Sequence, residues 1–368
     1  MTPIFDKCII PQNIVTGVVI EGVVGAYWAT AGHTDLAIAK DVSNGLNVYP
    51  FTSGRGFAPK YSTPTMTAAA KGVAFCGNTD IAVITFDDVN CLWAYPWTTG
   101  VGLGAKYANP STPPNSNSSG HIAFCGNTDI AVSIMSSPYI VVYRWYPRVG
   151  FGVKYTNPST LPAGGGLDVS FCGNTDIAVA HYITPYISAY PWMPMVGFGA
   201  KYSNPSTLPA GTGYSVAFCG GTDIAIGHVN NPYISAYSWS PRLGFGTKYS
   251  NPSTLPSEYC SKVAFCGNTD IAVSYYQQYG GAPGFCAYSW TPGSGFGVKY
   301  PDPAVKPAEP GNSVAFYGNT DFALSNSRVW AYQFTPGTGF GGKYTDVVGL
   351  QTGTCWDIAF LRGSSWLS

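Results

Sequence analysis

The nine residues FCGNTDIAV stand at 75–83 and return at 124–132, 171–179 and 265–273; at 218–226 they read FCGGTDIAI. A thiol and a carboxylate flanking a glycine turn are groups that bind metals or activate nucleophiles. The Asp recurs seven times, as Asp35, Asp80, Asp129, Asp176, Asp223, Asp270 and Asp321. Seven carboxylates in register raise the question of a calcium ring. Calcium needs six to eight oxygens converging on one ion, and seven turns spread along a repeat do not converge. An Asp after Gly-Asn-Thr is instead a turn residue whose carboxylate accepts backbone N–H bonds. The Cys fails a different test. Its position holds Ala31 in the first unit, Tyr317 in the last and Leu361 near the C-terminus. A ligand or disulfide partner would not tolerate those exchanges, but a small buried position would. Cys8, Cys91, Cys260, Cys286 and Cys355 form no CxxC and pair with no His, so zinc is not expected.

Four histidines, His33, His121, His181 and His228, show no recurring Ser-His-Asp or Cys-His order, and no carboxylate pair stands out. No catalytic residue, metal or cofactor is therefore expected, and the chain reads as a non-enzyme. What remains is binding. Within the stretch 275–285, YYQQYGGAPGF, Tyr275, Tyr276, Gln277, Gln278 and Tyr279 combine flat apolar rings with hydrogen-bonding ends. Tyr182, His181, His228, Asp87 and Asp88 join them, because they fall where the repeats differ. A residue kept in every unit is expected to serve the scaffold, whereas one that varies is free to serve a partner. Arg144, Arg148 and Arg242 are weaker candidates.

Three markers recur in fixed order: Thr-Asp, then Tyr-x-Trp or Tyr-x-Phe, then Lys-Tyr. The second falls at Tyr49, Tyr95, Tyr143, Tyr190, Tyr237, Tyr288 and Tyr332. The third falls at Lys60, Lys106, Lys154, Lys201, Lys248, Lys299 and Lys343. The Asp residues are 45 to 51 apart. Each unit holds four short strand-like runs separated by turn formers, and no window free of Gly and Pro carries a helical period. Four strands in about 47 residues match one blade of a propeller. The predicted fold is all-β, a propeller of seven four-stranded blades. The alternative is eight blades, the last built from both termini, since Ile358-Ala359-Phe360 repeats the Val-Ala-Phe that opens a unit. The division expected is a segment 1–27 that latches the ring, repeats over 28–345, and closing strands in 346–368. The Lys of each unit is expected on the outermost strand, paired with the Asp of its own or a neighbouring blade.

Val-Ala-Phe, a turn and a Tyr-x-Trp strand resemble WD40 and related propellers. Two departures stand out: no Gly-His opens the units, and Trp is not followed by Asp. TPYISAYPW at 184–192, GFGTKY at 244–249 and NPSTLP at 251–256 are similar to repeat proteins of bacteriophage genomes and environmental viral sequences. That resemblance covers about residues 28–345 and implies a phage-associated protein without assigning its role. The expected function is a binding or structural propeller on the virion, as a tail, fibre or capsid-associated component. It would engage other virion proteins or a host surface glycan or protein. A lectin-like propeller is the alternative, and a propeller hydrolase or lyase has no supporting cluster.

Charge agrees. Eighteen basic and eighteen acidic side chains cancel, and only 10% of residues are charged, which disfavours nucleic acid as partner. The start lacks a basic, then apolar, leader. The apolar stretch 14–26 is too short to span a bilayer, and Glu21 interrupts it. Abundant unpaired thiols fit assembly in a reducing cytoplasm before packaging into a virion.

In a ring of antiparallel blades, the first–second and third–fourth strand loops share one face. The second–third loops and the fourth–first links share the other. Sequence variation concentrates on the latter, which makes it the expected binding face.

Overall fold

Alternating β-branched and aromatic runs cut by Gly, Pro and Asn turns form short antiparallel strands. The computed structural model describes residues 33–63, 65–86, 91–114, 120–276 and 284–361, and the backbone of 19–20 and 23–24. Seven four-stranded antiparallel sheets follow one another as the blades of a ring. Blade 4 is typical: Gly166–Cys172, Asp176–His181, Ile187–Met193 and Gly197–Phe198, from innermost to outermost strand. Asp176–His181 is buried along its whole length. It lies between the first and third strands of its own sheet and is covered by blades on either side, so it is buried on both faces rather than alternately.

Two adjacent blades share each hydrophobic cluster. Cys125, Ala131, Ile140 and Val142 of blade 3 pack on Val169, Ile177, Val179, Tyr190 and Trp192 of blade 4. A large side chain buried there contributes about 2–3 kcal/mol before entropy is counted. Within a blade, Phe171 meets Trp192 edge-to-face at 5.6 Å, and Phe124 meets Trp145 at 5.3 Å.

The ring has seven blades, and blade 1 is built from both ends of the chain. Cys355–Phe360 is its innermost strand and pairs antiparallel with His33–Lys40, Ile358 opposite Ile38. Leu46–Thr52 and Gly56–Phe57 complete it. The sequence units start at the second strand, so the C-terminal Ile-Ala-Phe supplies a missing first strand and opens no eighth blade. The closure is fixed further by Thr34 Oγ1 donating to Leu361 O at 2.6 Å. Lys40, fully buried, donates to Gly353 O at 2.6 Å. Of the N-terminal segment 1–27, only the short pair Val19–Ile20 and Val23–Val24 is described.

Candidate functional site

The repeated motif fastens blade to blade. All seven Asp side chains are buried. Each accepts a hydrogen bond from the Tyr that follows the repeated Lys, as Tyr61 does for Asp35 at 2.8 Å and Tyr107 for Asp80 at 2.5 Å. The same bond joins Tyr155 to Asp129, Tyr202 to Asp176, Tyr249 to Asp223, Tyr300 to Asp270 and Tyr344 to Asp321. The next blade adds donors. Trp145 Nε1 reaches Asp80 at 3.3 Å, and the Arg148 N–H reaches it at 3.2 Å. The N–H groups of Arg242, Gly293 and Gly337 do the same for Asp176, Asp223 and Asp270. Last, Gly54 N–H donates to Tyr344 at 2.8 Å, carrying the pattern across the closure.

The Cys completes the seam. Cys125 lies 3.4 Å from Gly173 O and 3.2 Å from Asn174 Oδ1 in the next blade's turn, and Cys76, Cys172, Cys219 and Cys266 are placed alike. Burial pushes the Cys76, Cys125, Cys219 and Cys266 thiols up to about 12. These are protonated donors, not nucleophiles. The turn Gly adopts φ of +48° to +52°, a conformation that favours glycine.

The repeated Lys does not pair with the repeated Asp. The carboxylate is sealed in the seam, while the Lys runs outward along the outermost strand. In blades 2 to 7 it holds the residue three positions on, as Lys154 bonds Asn157 at 2.9 Å, Lys201 bonds Asn204 at 2.6 Å and Lys299 bonds Asp302 at 3.0 Å; Lys60 of blade 1 bonds Asn47 at 2.9 Å instead. The NPST loop is also held by the Tyr of the third strand, whose hydroxyl donates to Thr112, Thr160, Thr207 and Thr254 carbonyls at 2.7–2.9 Å.

The position five residues after each Asp varies but is not a surface. Lys40, Thr85, Ile134, His181, His228, Tyr275 and Asn326 are all buried. His181 Nε2 meets Ser188 Oγ, and His228 Nε2 meets Ser235 Oγ, each at 3.0 Å. Burial lowers both imidazoles to about 4. Tyr275 is 2% exposed and packs in the core between blades 5 and 6. These three side chains therefore line seams and do not present themselves to a partner. Asp87, Asp88, Gln277, Gln278 and Tyr279 lie outside the described residues. Arg148 and Arg242 sit in third–fourth turns on the opposite face, where Arg148 Nη1 also bonds Thr98 Oγ1 at 2.9 Å.

Tyr182 and Tyr276 are 38% and 41% exposed and stand on the variable face. Two half-buried tyrosines connect them into a row across blades 4, 5 and 6. Tyr182 meets Tyr214 at 6.3 Å, Tyr214 stacks on Tyr259 at 5.6 Å, and Tyr259 stacks on Tyr276 at 5.4 Å with only 15° between planes. Main-chain bonds place the row. Tyr182 N–H donates to Gly165 O at 3.1 Å and Tyr276 N–H to Tyr259 O at 3.2 Å, tying the end of each second strand to the start of the first. Neither Tyr214 nor Tyr259 is at a repeated marker.

A second non-repeating set lies on the ring axis, one residue before each Val-Ala-Phe or its equivalent: Gly72, His121, Asp168, Ser215, Lys262, Ser313 and Asp357. Lys262 crosses from blade 6 to Asp168 of blade 4 at 3.0 Å, with Ser215 Oγ donating to the same carboxylate at 2.8 Å. His121 Nδ1 lies 3.3 Å from Lys262 Nζ and 3.4 Å from Asp357. Asp357, on the closing strand, also accepts from Ser313 Oγ at 2.8 Å and Val73 N–H at 3.1 Å. Every blade contributes a member. Burial alone would raise the Asp357 carboxyl, but His121, Lys262 and Ser313 together hold it down at about 2. Burial opposes the Lys262 charge, yet Asp168 and Asp357 raise its affinity for the proton. Both serine hydroxyls are spent on carboxylates, so neither faces the imidazole as a nucleophile would. The cluster reads as a plug that knots the ring. Among the described residues no group of three or more His, Cys, Asp or Glu is arranged to hold a metal ion.

No family model and no curated protein matches the sequence significantly. Solved structures do match. A Lactobacillus plantarum protein superposes with TM-score 0.65 at 10% identity, covering 90% of this chain and 100% of its own. A Bacteroides fragilis protein, described provisionally as a 6-phosphogluconolactonase, gives 0.64 at 10% identity over 90% of this chain and 98% of its own. The WD40 β-propeller domain of Doa1 gives 0.53 at 7% identity over 89% and 90%. Identities this low show the fold alone: the chain is a seven-bladed, WD40-like β-propeller. No helix among the described residues is long and apolar enough to cross a membrane.

Proposed function

We propose that the chain is a non-enzymatic binding propeller of a bacteriophage particle, tail-, fibre- or capsid-associated. It engages another virion protein or the host surface through the face bearing the second–third loops. The observation that carries the reading is the row Tyr182–Tyr214–Tyr259–Tyr276, the aromatic surface formed where the repeats diverge. Exposed aromatic rings among polar neighbours are the residue types that anchor interfaces. The GFGTKY and NPSTLP units support the phage part through their resemblance to viral repeat proteins.

Mass spectrometry of purified particles from the virus carrying this sequence tests the placement. Its peptides are expected at a stoichiometry comparable with other structural proteins, and their absence from particles that retain tail and capsid would overturn it. Hydrolysis of 6-phosphogluconolactone above the spontaneous rate would overturn the non-enzymatic part.

A further inference from the structure

We infer that the tyrosine row is a glycan site that takes an oligosaccharide of pyranose units along the row. This rests on the reading of the variable face as the binding face and names the chemistry of its partner. The two inner rings spend their faces on each other. Tyr214 and Tyr259 are 29° from parallel, and Tyr259 and Tyr276 are 15°. What they offer a ligand is therefore a line of ring edges and phenol oxygens. The end rings, Tyr182 and Tyr276, are the most exposed of the four. A fitting ligand supplies repeated hydroxyls at the 5.4–6.3 Å step of the row and flat C–H faces at its ends. A pyranose chain has both, and its unit length is comparable with that step.

The surroundings fit the same class. Thr212 Oγ1 donates to Tyr182 O at 3.2 Å, and exposed Asn230 donates to Ala210 O at 3.1 Å, so a hydroxyl and a carboxamide flank the row. Glu258 beside Tyr259 adds a carboxylate acceptor. No Lys or Arg lies in the four segments that build the row, 182–186, 210–214, 257–259 and 275–276. A phosphate backbone would require basic groups there. A protein partner, for which Tyr is also a favoured anchor, is separated from a glycan by the protease arm below.

Labelled protein is applied to an oligosaccharide array and to bacterial cells. The cells are tested untreated, after mild periodate, which cleaves the vicinal diols of pyranoses, and after protease. The expected result is array binding and cell binding lost to periodate but not to protease. Tyr182→Ala/Tyr276→Ala should weaken both by about tenfold, the scale of losing stacked rings, at an unchanged melting temperature. Leu243→Ser, on the opposite face and 82% exposed, should bind as the parent does. Three results overturn the inference. Array binding indifferent to the tyrosine changes removes the site. No binding to array or cells removes the ligand class. Cell binding that survives periodate, falls to protease and is still lost in the tyrosine variant also removes the glycan, yet leaves the face itself as the contact surface.

Discussion

Replacing Asp80 by Ala tests whether the repeated carboxylate is a fastener. Its buried oxygens accept from Thr79 Oγ1 at 2.6 Å, Tyr107 at 2.5 Å, Trp145 Nε1 at 3.3 Å and Arg148 N–H at 3.2 Å. The last two belong to the next blade. Thr79 keeps a second partner, the Cys76 carbonyl at 3.0 Å. Tyr107, Trp145 and Arg148 would each lose a partner, at about 1–1.5 kcal/mol apiece, for a total of about 3–5 kcal/mol. Unfolding entropy of about 2.1 cal/mol/K per residue makes that a fall of about 4–6 °C in melting temperature for a chain of this length. Asp80→Asn keeps one acceptor oxygen and should fall by about half as much. Calorimetry with and without a chelator reads both. The chelator should leave the parent unchanged, because the carboxylate's partners are all protein donors. An Asp80→Ala protein melting within about 1 °C of the parent, or a parent destabilised by chelation, refutes the reasoning.

Other expectations follow from the same geometry. Burial depresses the folded pKa of His181 and His228 to about 4, against the ordinary 6.5 of a free imidazole. The stability they contribute is therefore complete above pH 6.5 and is lost as pH falls towards 4, by up to about 3 kcal/mol each. Asp35, raised by burial to about 6, works in the opposite sense over a similar range, its ionisation weakening the fold as pH rises. Urea titrations at pH 7 and 5 should show the net loss in acid, and His181→Ile/His228→Ile, using the residue blade 3 carries as Ile134, should flatten it. Lys262→Met leaves the 1%-exposed Asp168 carboxylate without its cation and should cost about 3–5 kcal/mol, most of it restored by adding Asp168→Leu. A urea midpoint unchanged in the single variant would contradict the axial knot. Truncation before Cys355 removes the innermost strand of blade 1 and should abolish protection of the His33–Lys40 amides that face it, while those facing Leu46–Thr52 keep theirs; protection unchanged on both sides would contradict the closure.

The fold was legible because three markers repeat in register, and every marker proved to hold a seam or a link. The seven-blade count was legible too, once Ile358-Ala359-Phe360 was recognised as a first strand without its own second. The site was legible only in part. Variation does not by itself mark exposure: Tyr182 and Tyr276 reach the surface, whereas His181, His228 and Tyr275 are buried. Those lie at the end of a second strand covered on both sides, where a pocket can change together with its neighbour, as His181 and His228 do with Ser188 and Ser235. Asp168 and Lys262 stand in innermost strands that begin at Gly166 and Cys260, close behind the variable fourth–first links. Lining up the residue before each Val-Ala-Phe gives Gly, His, Asp, Ser, Lys, Ser and Asp, a signal for the axial set. Nothing local marks Tyr214 and Tyr259 as partners, because only the packing of consecutive blades sets their rings face to face.

The division between repeated residues that hold the ring and unrepeated tyrosines that contact a partner is tested most directly by paired melting and binding curves. Asp129→Ala is compared with Tyr182→Ala/Tyr276→Ala on the same oligosaccharide and cell targets. The Asp variant should melt lower yet bind as the parent does below its transition, whereas the tyrosine variant should melt with the parent and bind weakly. An Asp variant that keeps its melting temperature and loses binding would contradict the account.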